Sequence, residues 1–141
     1  MSRRSRAREV ALQLLFQRDL QPGVTRAQVD LFAKERLSDA PSVAFCIKLY
    51  DGVIERQTEI DQRLAGAAEN WRVSRMAAVD RNLLRLSAFE LLYDPETPAA
   101  VVIDEAVELA RRFGAGESSA FVNGILDRLK RDAAPAPAPT E

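Results

Sequence analysis

Residues 80–93 read DRNLLRLSAFELLY, and this stretch decides the fold class. With Met76 and Val79 just upstream, one apolar stripe runs Met76, Val79, Leu83, Leu86, and a second runs Leu84, Ala88, Leu91. Two stripes on one helix imply burial on most of its sides, so the segment from Ser74, as N-cap, to about Tyr93 is predicted as a central helix. A central helix needs others around it, and the flanking sequence supplies them. Ala7, Val10, Ala11, Leu14 and Leu15 recur at helical spacing and predict a helix over about residues 4–20, ended by Pro22-Gly23. Thr25 is a candidate cap for a second helix over about 26–37, with Val29, Leu31, Phe32 and Leu37 as apolar contacts. After a break at 38–41, Val43, Ile47, Tyr50, Val53, Ile54 and Ile60 predict one long helix from Ser42 to about Leu64. Residues 65–72 read as either a short helix or an irregular turn holding Trp71.

Downstream, Asp94-Pro95-Glu96 reads as a turn, and Thr97-Pro98 has the N-cap and first-position pattern of a helix start. The stripe Val102, Ala106, Leu109, Ala110, Phe113 ends at Gly114, which is expected to be left-handed there. A last helix carries Phe121, Val122, Ile125, Leu126 and Leu129. Its stripe crosses Asn123-Gly124, so that pair reads as helical rather than as a hairpin turn, although glycine costs about 1 kcal/mol against alanine. No β-alternation or internal repeat stands out. The expectation is an all-α fold of about seven helices packed as bundles. Residues 1–132 form a single helical domain on this reading, and 133–141, AAPAPAPTE, form a disordered Pro/Ala tail.

The 141 residues are 47% hydrophobic and 29% charged, the balance of an ordinary globular chain rather than a disordered one. The absence of histidine excludes Ser-His-Asp and Cys-His catalysis and every His-ligated metal site. Cys46 is the one cysteine, so no intrachain disulfide or thiolate-rich zinc cluster is expected, and a single free thiol suits a reducing cytoplasm. No apolar run approaches the ~20 residues of a membrane span, and the N-terminus lacks the apolar core of a signal peptide. No cofactor is expected.

The net charge of −1 hides an asymmetry. Arg3, Arg4, Arg6 and Arg8 lie within the first eight residues without an acid among them. Arginine presents a planar donor fork that suits phosphate. All but three of the 20 basic residues are arginine, however, so only the clustering is positional information. Arg4 and Arg8 share a helical face, and the cluster either neutralises phosphates by counterion release or is a solvated basic terminus. Phe16 and Phe121 each read as an aromatic that stacks on a base or as a core-edge side chain. Arg81 and Arg85 read as ion-pair partners for Asp80, Glu90 or the acids of the following helix, and Glu90, inside an apolar stretch, needs a partner if buried. Glu105 and Glu108 share one helical turn, and Glu108 reaches Arg111 or Arg112. With no His, Gly-rich phosphate loop or metal cluster beside them, the two carboxylates are not read as an acid–base pair.

The segment VVIDEAVELARRFGAGESSAFVNGILDRL (101–129) resembles the signature of the NusB family of bacterial transcription antitermination factors. RRSRAREVALQLLF (3–16) resembles the family's arginine-rich motif and the first-helix pattern that follows it. DGVIERQTEID (51–61) resembles its third helix, and residues 80–93 its central helix. The resemblance implies an N-terminal three-helix part packed on a C-terminal four-helix part. It also implies a non-enzymatic, cytoplasmic regulator that binds boxA RNA of ribosomal RNA operons together with NusE, a small-subunit ribosomal protein. NusA, NusG and RNA polymerase complete the implied assembly, which suppresses premature termination. Carried onto this sequence, the RNA-binding positions are Arg3, Arg4, Arg6, Arg8, Phe16, Glu117 and Phe121, with Asp80 and Arg85 at the junction of partner and RNA. Phe16 stands where the family often has Tyr, which removes a hydroxyl and keeps a stacking face. Glu117 stands where it often has Asp; an acid there weakens phosphate binding but accepts from base amino groups. Two other readings remain: the NusB-like domain of ribosomal RNA cytosine methyltransferases, although a Pro/Ala tail rather than a catalytic domain is expected after residue 132, and a helical protein–protein adaptor, which needs no arginine cluster. A homodimer that hides the RNA face is compatible with the same sequence.

Overall fold

The computed structural model describes residues 2–69 and 71–133. Seven α-helices run through these residues: α1 Arg3–Leu20, α2 Arg26–Arg36, α3 Ala40–Glu55, α4 Gln57–Ala67, α5 Ala78–Tyr93, α6 Ala99–Phe113 and α7 Ser118–Ala133. The first three pack on one another, the last four form a second group, and α5 touches α1, α3, α4, α6 and α7. The two apolar stripes of α5 explain this position, since every residue from Asn82 to Glu90 is buried. Leu83, Leu84 and Leu86 of α5 meet Leu49 and Val53 of α3, Val10 of α1 and Leu126 of α7 in one continuous core. Each such side chain contributes about 1.5–3 kcal/mol on burial. Gly52 of α3 leaves space for Phe89 of α5: a Cβ there would lie 2.2 Å from the ring.

Polar clamps at two ends fix the antiparallel pairing of α1 and α5. At one end Arg8 of α1 donates to Glu90 of α5 through Nε at 2.7 Å and Nη2 at 2.9 Å. At the other end Asp19 of α1 accepts from Arg81 at 2.9 Å and from Asn82 at 2.8 Å. Short polar residues start the early helices. Ser2 Oγ accepts from Ser5 N–H, Thr25 and Gln28 form a reciprocal capping box, and Asp39 accepts from Ser42 N–H.

Several boundaries differ from the sequence reading. The long helix expected from Ser42 to Leu64 is two helices, because the backbone turns at Arg56 (φ −116°, ψ 16°). The turn lets α3 face α1 while α4 faces α5 and α7. Ser74 does not cap α5. It lies in a short 3₁₀ turn, Val73–Arg75, and α5 starts at Ala78 without a side-chain cap. Pro98 occupies the N-cap of α6 rather than its first turn. Gly114 is extended (φ −89°, ψ 177°), not left-handed, and the reason for glycine is steric: a Cβ would sit 2.5 Å from the Ser118 side chain. Leu31 and Phe113, expected as apolar contacts, are 58% and 39% exposed. The last helix extends to Ala133, and of the expected tail residues 134–141 lie outside the described residues.

Two tests follow from the clamps. Glu90→Gln removes the carboxylate that takes two hydrogen bonds from the buried Arg8 guanidinium, leaving it, among the described residues, only the Glu105 ion pair at 3.9 Å, and is expected to lower unfolding stability by about 3–5 kcal/mol. Arg8→Met combined with Glu90→Leu is expected to recover most of that loss. A Glu90→Gln loss of about 1 kcal/mol or less in urea unfolding, the range of an exposed pair, would show that the clamp is dispensable. The second test is acid. Burial pushes the Asp19 carboxyl pKa up, but hydrogen bonds from Asn82 and Arg81 and the charges of Arg85 and Arg81 outweigh it, and the net shift is down. A carboxyl whose pKa is lower in the folded state stabilises above its unfolded pKa of about 4. That contribution fades as pH falls through the folded value. The stability gap between wild type and Asp19→Asn is therefore expected to be full at neutral pH and to close on acidification. A pH-independent gap would contradict it.

Candidate nucleic-acid interface

The four N-terminal arginines do not share one environment. Arg3 and Arg4 are exposed, Arg6 is half-buried and Arg8 is buried. Arg4 and Arg8 do lie along one face, with guanidinium carbons 4.1 and 5.2 Å from the Phe45 ring centroid. One turn into α1, that face meets α5, and Arg8 turns inward to Glu90, with Glu105 of α6 at 3.9 Å. Burial works against the Arg8 charge, but its hydrogen bonding to Glu90 and the charges of Glu90, Glu105 and Asp94 outweigh it and raise its pKa. Acids from outside the first eight residues also reach this end. Glu9 pairs with both Arg6 and Arg112, and Ser5 Oγ donates to Glu105 at 2.6 Å. The cations that point outward here are Arg3, Arg4 and Arg6.

Phe16 is half-buried on the same helix, towards its other end. Phe121 is half-buried at the start of α7 and packs against the core. Its ring meets Trp71 edge-to-face, with centroids 5.2 Å apart and planes at 73°. Trp71 is 57% exposed. Together with Gly124, Arg128 and Arg131 the two rings line an open groove of about 330 Å³. Sequence reasoning did not assign Trp71 to a site. The available signal was an aromatic residue in a segment without helical periodicity, just before the central helix. Glu117 is exposed, one turn before Phe121.

Asp80 and Arg85 part company in the fold. Asp80 lies in the first turn of α5, where negative charge is favoured. Its Oδ1 is buried and has no hydrogen-bond partner among the described residues. Arg85 is buried and points into the protein. It donates to both carboxylate oxygens of Asp61 on α4 at 2.9 Å and to Asn82 Oδ1 at 3.3 Å, with Asp19 at 3.6 Å. Arg81 and Arg85 thus pair with Asp19 and Asp61 rather than with Asp80, Glu90 or the helix that follows. Glu108 reaches Arg111 at 3.6 Å, as its spacing suggests.

The structure therefore places Arg3, Arg4 and Arg6 at the start of α1, and Phe16 and Asp80 towards the other end of the antiparallel α1–α5 pair. Glu117 and Phe121 stand at the start of α7, tied by Trp71 to the segment that leads into α5. Cys46 is buried, and burial pushes its thiol up to about 12, so it is not a thiolate at neutral pH. No group of three or more His, Cys, Asp or Glu among the described residues is arranged to hold a metal ion. No helix among them is long and apolar enough to cross a membrane.

Known proteins bear on this geometry. The model of the NusB family matches residues 5–131. The transcription antitermination protein NusB of Sorangium cellulosum is 46% identical over 129 residues, covering 92% of this chain and 92% of that one. Among solved structures, T. maritima NusB superposes with a TM-score of 0.83 at 35% identity, covering 96% of this chain and 94% of its own. A chain in the crystal structure of the antitermination factors NusB and NusE in complex with dsRNA shares the fold, with a TM-score of 0.84 at 24% identity, 94% of this chain and 98% of that one. The family match over residues 5–131, joined to that 46% identity along nearly all of both chains, makes this chain a member of the NusB family.

Proposed function

We propose that this chain is a transcription antitermination factor that binds boxA RNA of ribosomal RNA operons together with NusE and suppresses premature termination. The observation that carries the reading is an outward-facing arginine end on α1 in a chain 46% identical to an antitermination protein. Arg3, Arg4 and Arg6 neutralise backbone phosphates. Phe16 and Phe121 offer rings to unstacked bases, Glu117 accepts from base amino groups, and Asp80 lies at the junction of NusE and RNA. Arg8 and Arg85 act indirectly, by holding α1 and α4 against α5, since their guanidinium groups are spent on Glu90 and Asp61. Residues 1–132 act as one unit, supported by a core that runs through all seven helices. NusA, NusG and RNA polymerase complete the assembly. The chain works by binding rather than by catalysis, and its place is the cytoplasm, where transcripts are made.

Salt dependence tests the electrostatic part. Three phosphate contacts on single-stranded RNA give a log–log slope of roughly −2. Arg3→Ala, Arg4→Ala and Arg6→Ala together are expected to flatten it and to weaken different RNAs alike. Phe16→Ala and Phe121→Ala are each expected to lower RNA affinity by about 1–3 kcal/mol. Thermal unfolding run in parallel separates a stacking loss from a folding loss. An unchanged slope in the triple variant, or intact affinity of the folded Phe variants, would overturn these roles.

The partner is expected to matter because a chain of net charge −1 attracts RNA only weakly. A partner touching both this chain and the same RNA adds contacts without a second full loss of translational freedom. The coupling is reciprocal: RNA tightens NusE binding by the factor by which NusE tightens RNA binding. Calorimetry in both orders measures it, and equal RNA affinity with and without NusE would reject the cooperative mechanism.

A further inference from the structure

A second basic feature lies beside the α1 arginines and was not visible in the sequence. Ser2, Arg3 and Arg6 of the α1 end and Arg36, Ser38 and Ser42 of the α2–α3 connection line an open pocket of about 280 Å³. Arg36 closes the last turn of α2, thirty residues from the N-terminal cluster. Its guanidinium stacks 3.5 Å over the Phe32 ring, and its nearest acid, Glu35, is 3.7 Å away. Arg3 has only Asp39 at 4.0 Å. Neither guanidinium donates a hydrogen bond among the described residues, so both keep unspent donors at the pocket. Arg6 is backed by Glu9, which holds it in place from the α1 side.

Asp39 is the acid in the pocket wall, and it is already engaged: its two carboxylate oxygens accept from Ser42 N–H and Ser42 Oγ, each at 2.9 Å. Glu9 lies behind Arg6 and Glu35 beside Arg36, and Asp39 is committed to Ser42, so the uncommitted donors that converge on the pocket are those of Arg3 and Arg36. The N-terminal ends of α1 and α3 both open beside it and add positive partial charge. Lys34 and Arg36 offset the opposite partial charge at the end of α2. The chemistry that fits is a tetrahedral oxyanion with several acceptor oxygens: arginine forks suit phosphate, and a serine hydroxyl at Ser38 completes the ring of donors.

We propose that this pocket binds a phosphate group, and that its occupant is a phosphodiester of the bound RNA, so that the strand continues from the α1 arginines to Arg36. The inference rests on the RNA-binding reading above and extends it to a residue on a different helix. A free phosphate would satisfy the same donors, and the experiment distinguishes the two.

The test pairs RNA titration with amide NMR on the full chain. Arg36 is exposed, and thermal unfolding of Arg36→Gln is expected to match wild type. With a boxA-type single-stranded oligonucleotide, Arg36→Gln is expected to weaken binding about tenfold at low salt and to reduce the salt slope by about 0.7, while Arg36→Lys keeps the slope. The Ser38 and Ser42 amide signals are expected to move on adding that RNA and to move less in Arg36→Gln. RNA binding with an unchanged slope and still amides would overturn the subsite and leave the functional reading standing. No RNA binding by the chain, with or without its partner, would overturn that reading and the RNA occupant with it. Inorganic phosphate is the second arm: if it moves the two amides and RNA does not, the occupant is a free phosphate, and the proposed RNA path is wrong.

Discussion

The ion pair between Arg8 and Glu90 is the interaction on which the rest of the molecule depends. Both side chains are almost wholly buried, and the guanidinium meets the carboxylate through two hydrogen bonds. Taking two charges out of water is expensive, and their attraction repays it only with good geometry and further partners. Those partners are present: Glu105 lies near the same guanidinium and the Phe45 ring lies beneath it. A pair of this kind does more to fix register than to add net stability. Shifting α1 by one residue along α5 would swing Arg8 away from Glu90 and leave two unpaired buried charges. The start of α1, and with it the direction in which Arg3, Arg4 and Arg6 point, is thereby set from inside the core.

The same economy governs the other end of the α1–α5 pair. Asp19 gathers Arg81, Asn82 and Arg85, and Arg85 reaches on to Asp61, so one polar network ties α1, α4 and α5 together. Its consequence is electrostatic as well as structural. Arginines satisfied by interior acids project little field, which leaves the exposed groups at the start of α1 and beside it as the local source of attraction for a polyanion. In the proposed function, this is why a nearly neutral chain shares its RNA with a partner.

The helices were legible because each carries a stripe at helical period, and the central position of α5 was legible because it carries two. The break at Arg56 was not. It has no Gly or Pro, and the apolar period continues through Val53, Ile60 and Leu64, all fully buried on both sides of it. The need for a turn arises from which neighbour each half faces. At Gly114 the residue was an informative signal, but its reason is contact with Ser118 and not a left-handed backbone. Arg4 and Arg8 illustrate the limit at the site. Their spacing placed them correctly on one face, yet one is exposed and the other buried, because that face meets α5 only after the first turn. Arg36 and Trp71 escaped for a related reason. Each joins its neighbours through tertiary contacts that no local pattern encodes.

Phe121 shows why core-edge and base-stacking readings of an aromatic need not compete. One side of its ring is seated on the core and its neighbour Trp71 meets it edge-to-face. A ring fixed in this way has little rotamer freedom left to lose, and ordering costs of about 0.5–1.5 kcal/mol for an immobilised side chain are largely settled during folding. In the proposed function a base that stacks there meets a prepared surface. The Arg3, Arg4 and Arg6 side chains differ: they are long, and Arg3 has only one distant acid. Phosphate contacts from these cations carry no sequence information, and a seated ring stacks on any base, so in the proposed function the Glu117 carboxylate, which accepts from base amino groups, is the group that discriminates. In the proposed function, affinity thus comes from the arginine end of α1 and base selectivity from the carboxylate that precedes α7.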